Sequence, residues 1–220
     1  MLKIYTKTGD DGSTGLLYGG RVPKDSLVMQ INGAVDEAQA SMGVARAEAE
    51  AGSELDALLV GLERDLYVLM AEVATDPSKR AKLKAGTTLV TSEMVAGLEA
   101  RIDDLIERFE MPAEFVVPGA TRVSAALDLA RTIVRRAERL TVTHPVEGSL
   151  VGQYLNRLSD LLWAMARWTE GEEHLLARGS ARRSRRPAGS SGTAAGPSRQ
   201  KTAAVAADDN QADDNEEEQA

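Results

Sequence analysis

Three clusters of residues in this 220-residue chain carry side chains able to do chemistry. The first is the opening run Thr6-Lys7-Thr8-Gly9-Asp10-Asp11-Gly12-Ser13-Thr14-Gly15, followed by Gly19, Gly20, Arg21 and Lys24. Glycines let successive backbone N–H groups turn toward one anion, and hydroxyls and a lysine add donors, which is what a polyphosphate requires. The same composition also makes an ordinary surface loop. It is not a Walker A loop, because Gly20 is followed by Arg21-Val22 where Lys-Ser/Thr is needed.

The second cluster is Ala130-Arg131-Thr132-Ile133-Val134-Arg135-Arg136-Ala137-Glu138-Arg139. At about 100° per residue, Val123, Leu127, Ala130, Val134, Ala137 and Thr141 form one stripe, with Arg131, Arg135 and Glu138 along its edge. Two guanidiniums at the border of a core can meet an anionic ligand, or they can pair with helix acids such as Asp128 at i,i+3. The third cluster, Tyr154-Leu155-Asn156-Arg157-Leu158-Ser159-Asp160, sets an amide and a carboxylate at i,i+4 on one face. They could hold a ligand, or Asp160 could pair with Arg157 or with an arginine of the preceding helix.

Composition removes several other chemistries. Without Cys there is no disulfide framework, thiolate zinc site or cysteine nucleophile. Neither His144 nor His174 follows a Glu by three residues, so the Glu-x-x-His pairs of di-iron bundles are missing. A formal charge of -8 argues against general nucleic-acid binding, which needs a broad basic face. The opening residues carry no apolar targeting core, and nowhere do about 18 apolar residues run together, so a cytoplasmic protein away from the membrane is expected.

The elements that must position these clusters are helices. Helical periodicity with few breakers runs over Ser26 to Glu50, Glu54 to Ala74, Thr91 to Glu110 and Thr121 to Thr141, with a fifth segment from about Val146 to Glu173. Val28, Ile31, Val35, Ala38, Met42 and Ala45 step along the first, and Leu55, Leu58, Leu59, Leu62, Leu66 and Leu69 along the second. Thr91 and Ser92 suit the N-cap of the third, while Asp76-Pro77 and Lys84 to Thr88 read as connecting loop. The fold class expected is therefore all-α, a helical bundle over residues 1–177. Residues 178–220, first basic (Arg182, Arg183, Arg185, Arg186) and then acidic, lack core-forming side chains and are expected to be a disordered tail.

Taken in order, several motifs together resemble one family. They are Lys3 to Gly12, Pro23-Lys24-Asp25, Val35-Asp36-Glu37, Phe115 to Gly119, Ala130 to Arg139 and Asn156 to Asp160. The combination is similar to the propanediol-utilisation-type (PduO-type) ATP:cob(I)alamin adenosyltransferases, over roughly residues 2 to 170. The resemblance implies a ferritin-like, up-and-down five-helix bundle, assembled as a homotrimer with active sites between subunits. It implies that Thr6, Lys7, Thr8, Gly9, Thr14, Gly15 and Lys24 hold the triphosphate with Mg²⁺, and that Arg135, Arg136, Glu138, Arg139 and Asn156 complete the ATP site. Arg131 would be the catalytic arginine, paired across the interface with Asp36. Phe115 would lie under the corrin and exclude its lower base, with Asp160 also on the cobalamin side.

Three positions depart from the family pattern: Ala34 where Glu is usual, Ala120 for the second Gly after Pro118, and Asp128 where His is common. They bear on the cobalamin side more than on ATP. The reaction implied is attack of cob(I)alamin on the 5′ carbon of ATP, giving adenosylcobalamin and triphosphate, with the protein aligning the two and stabilising the leaving group. A flavoprotein reductase and a cobalamin-dependent mutase are the partners expected. Two rival readings are a carrier that delivers adenosylcobalamin to a mutase, and an adaptor bundle whose arginines make surface ion pairs.

Overall fold

The structure is a computed structural model and describes residues 4–178. Five helices dominate it: α1 (Leu27–Glu48), α2 (Glu54–Val73), α3 (Ser92–Ile106), α4 (Arg122–Val142) and α5 (Val151–Glu170). Two small antiparallel ribbons accompany them, β1 (Ser13–Gly15) with β2 (Arg21–Pro23), and β3 (Val116–Val117) with β4 (Leu175–Leu176).

Capping residues fix where the helices begin. Ser53 accepts from Asp56 N–H at the head of α2, and Thr91 from Met94 N–H at the head of α3. Before α4 the Thr121 hydroxyl accepts from Ser124 N–H while the Ser124 hydroxyl accepts from Thr121 N–H, a reciprocal capping box. The apolar stripes then face one another. Ile31, Val35, Ala38, Met42 and Ala45 of α1, Leu59, Leu62, Leu66 and Leu69 of α2, and Leu127, Ala130, Val134 and Ala137 of α4 are all buried. Burying each Leu, Ile, Val or Met among them contributes about 1.5–3 kcal/mol, so these stripes drive the packing.

Cross-helix polar pairs give the direction of each helix. Glu37 meets Arg136 and Glu48 meets Arg122, so α1 and α4 are antiparallel. Asn156 meets Glu138 and Arg167 meets Asp128, so α4 and α5 are antiparallel as well. Gln39 meets Glu63, and Arg46 meets Asp56, which sets α2 against α1. Glu54 meets Arg108 near one end of α3, and Glu72 meets Val90 near the other. The result is an up-and-down five-helix bundle. Its upper end gathers the β1–β2 hairpin, the α2–α3 connection and the α4–α5 connection. Its lower end gathers the α1–α2 turn, the α3–α4 connection with Phe115, and the β3–β4 ribbon.

Three boundaries differ from the sequence expectation. α3 stops at Ile106 rather than Glu110, because Pro112 disfavours helix before it and Phe109 turns to pack 6.4 Å from the Trp163 ring. α5 begins at Val151 rather than Val146, because Gly148 at φ 70° lies outside the helical region. The α2–α3 connection contains a 3-10 helix, Pro77–Lys82, capped by Asp76 on Ser78 N–H at 2.9 Å. The expected tail lies outside the described residues beyond Arg178. Among the described residues, no helix is long and apolar enough to cross a membrane.

Candidate active site

The opening motif folds as a hairpin docked on the upper end of the bundle. Leu17 N–H donates to the Ala74 carbonyl at 2.8 Å, and Lys79 Nζ to the Gly19 carbonyl at 2.5 Å, fastening it to α2 and the 3-10 turn. Arg21 braces it from within: Nη2 reaches the Thr8 carbonyl at 2.6 Å and the Ser13 carbonyl at 3.2 Å, while Nε reaches the Ser13 hydroxyl at 2.8 Å. The Ser13 N–H and hydroxyl, helped by the Arg21 guanidinium, hold the Asp11 carboxyl below its ordinary value. Thr6 and Thr8 share a hydroxyl hydrogen bond of 2.8 Å, and Lys7 between them sits at φ 60°, in the left-handed region.

Gly9 is where the loop closes on its lysine. A Cβ there would lie 3.1 Å from Lys24 Cε and Nζ and from the Ser13 carbonyl oxygen, so any larger residue would press on the ammonium. Thr14 and Gly15 follow in β1, and Lys24 comes directly after β2, its N–H bonded to the Gly12 carbonyl at 2.9 Å. Exposed hydroxyls, N–H groups and two ammonium groups, Lys7 and Lys24, thus share one hairpin.

α4 and α5 supply the second group. Asn156 Nδ2 donates to Glu138 Oε1 at 3.0 Å, and Arg157 Nη1 donates to Asn156 Oδ1 at 2.7 Å. This locks the Asn156 amide between a carboxylate and a guanidinium, at the half of α4 nearer the hairpin. Arg135 and Arg139 are exposed in the same half of α4 and make no ion pair among the described residues. Arg136 is turned the other way, to Glu37 of α1. Near the middle of α4, Arg131 Nε pairs with Asp128 at 3.1 Å, the i,i+3 arrangement the sequence allowed. Asp160 is exposed, and Arg157 pairs with Glu99 of α3 at 2.8 Å rather than with it.

At the lower end, Phe115 is 88% exposed, an unusual state for a large aromatic ring. Its carbonyl accepts from Ala177 N–H at 2.7 Å, so the β3–β4 ribbon holds the backbone while the ring stays free. Pro112, Glu114, Phe115, Val116 and Trp163 line an open depression of about 500 Å³ there.

These elements are shared with known proteins. A family profile described as cobalamin adenosyltransferase matches residues 4–169, which span the hairpin, α1 to α4 and nearly all of α5. The chain belongs to the cobalamin adenosyltransferase family. It is 38% identical over 173 residues to a corrinoid adenosyltransferase of Citrobacter freundii, covering 77% of this chain and 96% of that one. It is 39% identical over 172 residues to a corrinoid adenosyltransferase of Bacillus subtilis, covering 76% and 86%. Among solved structures it resembles a variant of the PduO-type ATP:corrinoid adenosyltransferase from Lactobacillus reuteri complexed with cobalamin and ATP. That likeness has a TM-score of 0.71 and 28% identity, and covers 80% of this chain and 100% of that one.

Within one chain of this adenosyltransferase, the expected site residues fall toward two ends of the bundle. The hairpin residues, Arg135, Glu138, Arg139 and Asn156 lie toward the upper end, whereas Phe115 lies at the lower one. Asp36 is exposed on α1, and Arg131 engages Asp128 of its own helix. Two residues whose identity alone gives no role take one in the fold. Arg21 is the brace of the hairpin, recognisable only through its bonds to distant carbonyls. Arg167 is 2% exposed within α5, and its signal was an arginine placed directly after the apolar run Leu161 to Ala166.

Proposed function

We propose that this protein transfers the 5′-deoxyadenosyl group of ATP to the cobalt of cob(I)alamin, releasing triphosphate. The observation that carries the proposal is the family match across the hairpin, α4 and α5, the elements that gather its cationic and hydroxyl groups. Thr6, Lys7, Thr8, Gly9, Thr14, Gly15 and Lys24 would bind the triphosphate. Arg135 and Arg139 would neutralise the charge that grows on it as the bond between the 5′ carbon and the triphosphate oxygen breaks. The Glu138–Asn156 pair, held at 3.0 Å, would orient the nucleoside.

Mg²⁺ would arrive with the nucleotide. Among the described residues no group of three or more His, Cys, Asp or Glu could hold a metal ion. A cation held mainly by phosphate oxygens and water fits the hydroxyl-rich hairpin, as is usual for Mg²⁺ on nucleotides. Phe115 and the depression beside it would take the corrin, with the free ring displacing the lower axial base and water from cobalt.

The separation of the two ends supports a site shared between copies. Arg122 and Glu138 are sixteen residues apart on α4, about 24 Å of helix, too far for one corrin to reach both Phe115 and the hairpin of the same chain. A homotrimer would bring the lower end of one copy to the upper end of the next, with Arg131 facing Asp36 of a neighbouring copy. We place the reaction in the cytoplasm, where a flavoprotein reductase would deliver the electron that makes cob(I)alamin and a cobalamin-dependent mutase would take the product.

An anaerobic assay tests the activity: addition of MgATP should bleach cob(I)alamin absorbance and yield light-sensitive adenosylcobalamin. Binding of both substrates without turnover would leave a carrier instead. Failure of MgATP to raise the melting temperature would leave an adaptor bundle.

A further inference from the structure

Between α4 and α5 runs a chain of four charges, three of them buried, of which only Arg131 belongs to the candidate site described above. Glu170 is 4% exposed and faces Arg167, with Oε1 accepting from Nη2 at 3.0 Å and Oε2 lying 2.8 Å from Nε. Arg167 in turn donates from Nη2 to Asp128 Oδ2 at 2.7 Å. Asp128, also 4% exposed, gives its other oxygen to Arg131 Nε at 3.1 Å. Trp163 covers Arg167, whose guanidinium carbon lies 5.8 Å from the ring centroid, and the same indole forms part of the wall of the Phe115 depression. The sequence of charges is negative, positive, negative, positive.

The geometry at the outer end of this chain is specific. Arg131 is gripped through Nε alone, and among the described residues no hydrogen bond or ion pair engages its two terminal nitrogens. Its side chain is 26% exposed, so the guanidinium lies at the edge of the core with its fork unoccupied. An arginine on an exposed helix face samples many rotamers. One clamped from the side by a buried carboxylate keeps its planar fork pre-aligned, and less freedom is lost when an anion is bound.

We infer that Asp128 is a positioning residue for adenosyl transfer, fixing Arg131 through its Nε while Arg167 and Glu170 fix Asp128. The inference rests on the reading of Arg131 as the catalytic arginine, whose terminal nitrogens would face Asp36 of a neighbouring copy. Buried charges of this kind are costly unless each is paired, and here each is. The relay therefore sets the direction of one guanidinium at the site.

The test is a double-mutant cycle with Asp128→Asn, Arg131→Ala and their combination, read by anaerobic single-turnover rate and KM for ATP, with melting temperature alongside. Asp128→Asn leaves the Arg167–Glu170 pair intact. It should slow adenosyl transfer about tenfold while changing KM for ATP less than threefold, and should change the rate less than twofold when Arg131 is already Ala. Asp128→Glu keeps the buried charge balance but moves the carboxylate by one methylene. It should also slow transfer only where Arg131 is present, and it reads the same point if the Asn variant does not fold. Equal losses in both backgrounds, or no loss in either, would overturn the positioning role. An unchanged rate in Arg131→Ala alone would instead remove the role of Arg131, and with it the premise.

Discussion

Arg135→Ala tests phosphate binding by α4 without disturbing the fold. Arg135 is exposed, lies on the half of α4 nearer the hairpin and makes no ion pair among the described residues. Its removal opens no cavity and strands no buried partner, so stability should change by no more than about 0.5 kcal/mol. Toward a triphosphate it would supply a charge-assisted hydrogen bond, whose loss costs about 1.5–3 kcal/mol. At 1.36 kcal/mol per tenfold, kcat/KM for ATP should fall by about 10- to 150-fold. Arg136 is its comparator, because its guanidinium is turned to Glu37 in an exposed pair worth about 0–1 kcal/mol. Arg136→Ala should therefore cost ATP use much less. The assay is anaerobic loss of cob(I)alamin absorbance over a range of MgATP concentrations, with thermal melts of both variants. A kcat/KM for Arg135→Ala within twofold of the parent, with an unchanged melt, would refute the placement of phosphate beside α4.

Phe115→Ala should enlarge the five-coordinate fraction of cob(II)alamin bound with MgATP in electron paramagnetic resonance. Turnover from cob(II)alamin should fall more than turnover from pre-reduced cob(I)alamin, since the ring at 88% exposure is free to cover a corrin face. A chain ending at Arg178 should keep full activity, because the family match ends at residue 169 and α5 at Glu170; loss of turnover would assign the remaining residues a part. Glu63→Gln should raise the melting temperature by about 2 °C at pH 7.5 and by much less at pH 4. Burial holds the Glu63 carboxyl above its ordinary value against the pull of Arg46, and one oxygen is buried without a partner. The folded state therefore prefers the protonated acid, and the parent loses stability as pH rises from the unfolded value through the folded one. A pH-independent difference would show that charge is not the cause.

The bundle was legible because five amphipathic periods leave few other ways to bury their stripes. Ile31, Val35, Ala38, Met42 and Ala45 were placed correctly from spacing alone, and Thr91 as a cap from residue type. The hairpin was not legible. Its strands are three residues each, too short for alternation to register, and its glycines and hydroxyls match any surface loop. What makes it a defined structure is long-range: Arg21 on the Thr8 and Ser13 carbonyls, and Lys79 on the Gly19 carbonyl. Backbone acceptors leave no trace in residue identity. The end of α3 shifted for a similar reason, since Phe109 left its helix to meet Trp163, a partner 54 positions away in sequence.

The contacts among the candidate site residues were not legible in the sequence. Glu138 and Asn156 were both named from the family pattern, yet their contact depends on the antiparallel register of α4 and α5. In the sequence Asp128 stood out as a departure from the pattern the resemblance implies, and its i,i+3 spacing suggested a pair with Arg131. The pair exists, but Asp128 is buried, and that changes what the departure means. A neutral side chain at 128 would leave Glu170, Arg167 and Arg131 with one unbalanced positive charge next to the core. Aspartate cancels it while bonding both arginines with separate oxygens. The substitution is thus consistent with its neighbours electrostatically, and it ties the half-buried arginine of α4 to the fully buried one of α5.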